Sequence, residues 1–175
     1  MSGSRGAERW GPKLTFRRGQ VAREVMRRRH SENAYLHRDF HGALSVGIDY
    51  LDQRFGPEAV RDYLRQFTNA YYAPLKRELL ARGLVALKEH FESIYRREGS
   101  EVEARLNGDE LVLEVKVCPA VRHMREHGYP VTGLFMETTR TVNEALCEGT
   151  PYQAELVEYE GESGRSVTRF SRRQP

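Results

Sequence analysis

Cysteine is scarce in this sequence: Cys118 and Cys147 are the only two in 175 residues. Two thiols cannot build a disulfide framework, and in a reducing compartment both stay free. Long apolar runs are missing as well. No stretch approaches the ~18 unbroken apolar residues of a membrane span, so the expectation is a cytoplasmic protein with no membrane partner. Arg17 and Arg18 would suit a twin-arginine export signal, but the "GQVAREVMRRRH" that follows is charged where an apolar region is required. A glycine-rich phosphate loop is also absent, which leaves nothing to support a nucleotide enzyme. What is present, 39% hydrophobic and 30% charged residues, suits one globular domain with a real core.

The net charge of +3 conceals an asymmetry. Residues 1–30 carry nine bases against Glu8 and Glu24, a net of +7, so the other 145 residues sum to −4. A basic arm on an acidic body is a poor nucleic-acid domain, because phosphate binding needs its basic charge clustered on the folded surface. Residues 1–18, with their Gly, Ser and Pro, read as a flexible basic leader, and residues 19–175 as a single domain.

The pattern within that domain predicts an α+β fold. Helices are expected over about residues 20–98, beginning with a short amphipathic one in "QVAREVMRRRH". Leu36, Phe40, Leu44, Gly47, Ile48, Leu51 and Phe55 recur at three and four, the spacing of a buried helix face. Gly56-Pro57 breaks that helix and starts another, with Val60, Leu64, Phe67 and Tyr71 on one stripe. A further stripe of Leu84, Leu87, Phe91 and Ile94 has His90 at its edge. The period changes at Ser100. "SEVEARLNGDELVLEVKV" alternates on both sides of Asn107-Gly108, a hairpin signal in which both central residues take positive φ. Leu111, Leu113, Val115 and Val117 share its apolar face. Two helices follow over 119–148, and "YQAELVEYEGESGRSVTRF" reads as a second hairpin over 151–171 with Glu160–Arg165 as its loop. The expectation is a four-stranded antiparallel sheet made of two hairpins that bracket two helices.

Cys118 lies where the strand ends and Pro119 opens a helix. An N-cap thiol faces unpaired amides and the positive end of the helix dipole, both of which favour the thiolate. Cys147, in the last turn of its helix, has the opposite surroundings. The alternative is that Cys118 simply fills a strand-to-helix corner. If it is reactive, Arg122, four residues on, falls near its face and suits a thiolate or a substrate carboxylate, whereas His123 is rotated ~140° away. A base would come from His37 and His41, stacked at i, i+4 with Ser45 a turn further. The same pair has metal-ligand spacing, with Cys118 as a possible third ligand for zinc, but "HRDFH" lacks the Glu of "HExxH". No cofactor is therefore expected, with zinc at His37, His41 and Cys118 the alternative. Tyr71 and Tyr72 are candidates for a pocket wall.

The order of helices, hairpin, "CP", helix, second helix and closing hairpin resembles the L-2-amino-thiazoline-4-carboxylic acid hydrolase-like family. That family is related to the 4-vinyl reductase type of small-molecule-binding domain. The resemblance runs from about residue 35 to residue 173 and rests on "VKVCPAVRHMREHG", the helix pair after it and "GESGRSVTRFSRR". It implies either a hydrolase that opens a thiazoline ring or a non-catalytic pocket for a small organic ligand. Cys118 matches the family's cysteine after the second strand. Many relatives carry another cysteine near the position of Ser166 or Thr168, and its absence here counts against a two-cysteine metal or redox site.

Three functional classes follow. The first is a thiol-dependent hydrolase of a C–N bond in a small cyclic or amide substrate, with Cys118 as nucleophile, His41 or His37 as base, and Arg122 or Arg140 on a carboxylate. The second is a ligand-sensing module using the same pocket. The third is an assembly protein that forms a homodimer through its sheet or a helix face.

Overall fold

The computed structural model describes residues 39–174. His37, the basic leader and the helix expected at 20–30 lie outside them. Four helices come first: α1 (Asp39–Phe55), α2 (Pro57–Tyr71), α3 (Ala73–Arg82) and α4 (Leu84–Arg97). The hairpin β1 (Val102–Asn107) and β2 (Glu110–Val115) leads into α5 (Pro119–Glu126). A 3-10 turn (Gly133–Met136) runs directly into α6 (Glu137–Cys147), so the second of the expected pair begins as the tighter helix. The hairpin β3 (Tyr152–Tyr159) and β4 (Ser166–Arg172) closes the chain. All four strands are antiparallel, in the order β1-β2-β4-β3. The α+β expectation holds.

The first hairpin turns one residue later than expected. Asn107 pairs with Glu110, which makes Gly108 and Asp109 the central residues, and only Gly108 has a positive φ, +56°. Positive φ at the first central position alone is the requirement of a II′ turn, which glycine meets without steric cost. Asn107 stays in the strand.

Strand alternation gives the sheet one apolar and one charged face. Leu111, Leu113 and Val115 of β2 are buried together with Thr168 and Phe170 of β4. Outside, Arg169 pairs with Glu155 at 2.5 Å and Arg105 with Glu114 at 3.5 Å. Val117 departs from its expected face. It is exposed, because β2 ends at Val115 and the chain is already bending toward α5. One core joins the sheet to α3, α4 and α6 through Leu79, Leu84, Leu87, Cys147 and Phe170. A second lies among the helices, where Ile48, Leu64, Val121, Met124 and Phe135 meet.

Two helical stripes also divide differently from their spacing. In α2, Val60 and Leu64 are buried as expected, but the next inward residue is Thr68, whose hydroxyl donates to the Leu64 carbonyl at 2.7 Å. Tyr71 is largely exposed and Phe67 only 37% so, and the two rings stack on each other, centroids 5.2 Å apart. In α1, Ile48 is fully buried while Phe40, Gly47 and Phe55 are exposed. The inward position one turn from Ile48 belongs to Ser45, which donates to the Pro130 carbonyl and accepts from the Thr132 amide. Satisfied hydroxyls are tolerated inside because their hydrogen-bonding groups are paired.

Candidate functional site

Cys118 occupies the N-cap of α5 in an extended conformation, φ −70° and ψ 121°, and Pro119 takes the first helical position. Its amide donates to the Ser163 carbonyl of the β3–β4 loop at 3.0 Å, and its carbonyl accepts from the Arg122 amide at 2.9 Å. The loop is therefore tied to the helix start. The thiol makes no full capping hydrogen bond, yet the Val121 and Ala120 amides do draw its pKa down, and Arg122 does so weakly. Burial pushes the other way and is the larger effect, with Glu98 adding to it. The net direction is upward, which corrects the expectation of an activated thiolate: an N-cap stabilises a thiolate only when the loss of solvent costs less than the amides supply. Cys147 is fully buried, and burial pushes its thiol up to about 12.

Cys118 opens on a cavity of about 260 Å³ set between α1, α2, α4, α5 and α6. Its walls are mainly apolar and include the aromatic rings of Phe67, Tyr72, Phe91, Tyr95 and Phe135. The polar groups in the wall are few: His41, Glu98, His90, Asn143 and the threonines of α6. His41 Nε2 lies 3.7 Å from Glu98 Oε2, and both side chains are mostly enclosed. Burial, followed by the charges of Tyr71 and Glu98, raises Tyr72 above its ordinary value. Tyr95 is raised in the same way, with Cys118 and Glu98 contributing after burial. Both phenols are protonated donors at neutral pH. His90 is lowered, first by burial and then by Arg97, and its ring meets Tyr72 edge-on at 5.7 Å.

The structure brings together Cys118, His41 and Tyr72 from the residues expected at the site. The remaining candidates lie elsewhere. Arg122 donates to the Gly99 carbonyl at 3.2 Å on the outer side of the helix start. Arg140 is bonded to the buried carboxylate of Glu137, which also receives Arg61 and the Thr141 hydroxyl. Tyr71 is exposed at the rim of the Phe67–Tyr72 aromatic group. Ser45 is spent on Pro130 and Thr132, and does not line the cavity. His37 falls outside the described residues. Among the described residues, no group of three His, Cys, Asp or Glu side chains is placed to hold a metal ion, and no hydrogen bond joins Cys118 to His41.

Sequence reasoning overlooked Glu98 and Tyr95. A signal for both was present in α4, because the spacing that links Leu87, Phe91 and Ile94 continues to Tyr95 and Glu98. The apolar residues of the stripe end at Ile94, and its polar continuation completes the cavity wall.

No protein-family model matches the chain, and no curated protein is significantly similar to it. Among the described residues, no helix is long and apolar enough to cross a membrane.

Proposed function

We propose that this protein binds a small organic molecule in the cavity beside Cys118. The observation that carries the reading is an aromatic-walled space of about 260 Å³ into which a few polar groups from different helices converge. Apolar walls supply affinity and sparse polar groups supply orientation, the usual division of labour in a ligand pocket. The size suits a ligand of one ring with a short substituent. Filling the space is the direct test. Thr139 lines the cavity without being part of the core clusters, so Thr139→Trp should abolish binding of a one-ring fragment such as 2-phenylethanol, with circular dichroism unchanged. Equal binding by the wild type and the folded variant would place the ligand elsewhere and end this reading.

A second reading is favoured by the His41–Glu98 pair in the same wall as Cys118. Here the protein is a thiol-dependent hydrolase of a C–N bond in a small cyclic or amide substrate. Cys118 is the nucleophile, and His41 takes its proton while the Glu98 carboxylate, 3.7 Å from Nε2, favours the resulting imidazolium through space. The sulfur adds to the carbon of the C–N bond, the nitrogen leaves with a proton, and water then releases the acyl group from sulfur. Burial keeps the thiol protonated at neutral pH, so a base is a requirement of this scheme. The thiazoline-carboxylate substrate of the resembling family is the one to try first, although among the described residues the wall offers no arginine to its carboxylate. Turnover followed by mass change, lost in Cys118→Ala while 2-phenylethanol binding is kept, supports hydrolysis. Unchanged substrate mass with wild-type protein leaves a binding protein.

A further inference from the structure

The charges on the cavity wall narrow the ligand further. Among the described residues no lysine or arginine lines the space, and Glu98 is the single acidic residue that does. The Glu98 side chain is only 16% exposed, and the one group within ion-pair distance of it among the described residues is the His41 ring, 3.7 Å away and beyond hydrogen-bond distance. No donor among the described residues hydrogen-bonds its carboxylate, so its lone pairs remain available to a second group. Neither Glu98 oxygen is sealed from solvent, because among the described residues no fully buried side-chain oxygen lacks a partner, so a ligand donor would take the place of water there. The aromatic walls point the same way. Ring faces of Tyr and Phe carry negative potential, so a wall that includes Phe67, Tyr72, Phe91 and Tyr95 suits an ammonium wherever a face is turned to it.

We infer that the cavity selects an aromatic amine carrying one positive charge, with the ammonium donating to Glu98 and the ring enclosed by Phe67, Tyr72, Phe91 and Tyr95. This rests on the reading of the cavity as a ligand site. The ammonium supplies the donors that Glu98 lacks, and a charge-assisted hydrogen bond forms in a place shielded from bulk water. A carboxylate in the same position would face Glu98 with no arginine or lysine among the described lining residues to offset the repulsion. Glu98 lines the same space as Tyr72 and Tyr95, and its charge contributes to the raised pKa of both phenols.

The test uses the full chain and three probes that share a phenylethyl group, measured by isothermal titration: 2-phenylethylamine as cation, 2-phenylethanol as neutral and the slightly larger 3-phenylpropionate as anion. The amine should bind about tenfold tighter than the alcohol, and the propionate more weakly than either. Glu98→Gln should remove the amine's advantage and leave alcohol binding within about twofold, since it takes away charge but keeps the shape. Alcohol binding by the variant reports that its cavity is intact. Should the amine bind no better than the alcohol, or keep its advantage in Glu98→Gln, charge selection fails while the ligand site stands. Propionate binding as tight as the amine would likewise overturn it. If none of the three binds the wild type, the inference and the ligand-site reading fall together.

Discussion

Gly164 packs against Cys118 so closely that a Cβ on the glycine would stand 2.5 Å from the cysteine Cβ and 2.8 Å from Val121 Cγ2. The glycine also has φ +66°, a conformation that side chains bearing a Cβ resist. It belongs to the β3–β4 loop whose Ser163 carbonyl receives the Cys118 amide. Loop and helix start are thus one packed unit.

Gly164→Ala should therefore destabilise the fold by about 2 kcal/mol, from overpacking together with an unfavourable φ. Denaturant titration should show a lower midpoint with an unchanged slope. The same change pushes on Cys118 directly, so its alkylation rate in the native state should shift. Wild-type stability in Gly164→Ala would mean that the loop moves away freely.

Alkylation should separate the two cysteines. Cys118 is partly exposed and Cys147 is fully buried, so a small reagent labels Cys118 first and Cys147 only on unfolding. Because burial raises the Cys118 pKa, its rate should go on climbing beyond the usual thiol range of ~8.5 instead of levelling off near neutral pH. Mass spectrometry of singly labelled protein locates the adduct. Labelling of Cys147 first would rule out Cys118 as a nucleophile.

His90 should make the fold acid-sensitive. Burial holds its native pKa below the ordinary 6.5, so the unfolded chain takes up a proton before the native one. Stability from this group is complete above the unfolded value and is lost as pH falls through the lower native one. His90→Gln has no such proton to bind. Thermal unfolding from pH 7.5 to 5 should show a smaller loss for the variant than for the wild type; equal losses would mean that other groups govern the acid response.

Chelation should leave the domain folded. The two cores are built from apolar side chains, and no metal-ligand group of three exists among the described residues. Dialysis against a chelator is expected to leave the melting temperature unchanged. Cooperative unfolding on metal removal, reversed by zinc, would instead give the histidines a structural role.

Part of the site is legible in the sequence alone. "KVCPAV" identified a cysteine at a strand-to-helix junction, because Pro119 can open a helix but cannot extend a strand. His41 and Tyr72 were reached from i, i+4 spacing and from an aromatic run. Arg140 was not where a carboxylate would need it, since helical spacing says nothing about the buried Glu137 that claims it. The direction of the Cys118 pKa was equally hidden. Helix amides are a local feature, whereas desolvation depends on everything packed around the thiol.

The sequence by itself determined the kinds of element and their order, because helix and strand periods, Gly-Pro breaks and the turn at Gly108 act over a few neighbouring residues. Only the tertiary structure decided that β4 lies between β2 and β3 and that His41 meets Glu98. It also decided that α1, α2, α4, α5 and α6 leave an aromatic cavity at Cys118. Those outcomes depend on which apolar faces find one another across long stretches of chain. That choice is made by the burial of the whole core, and no single segment's pattern contains it.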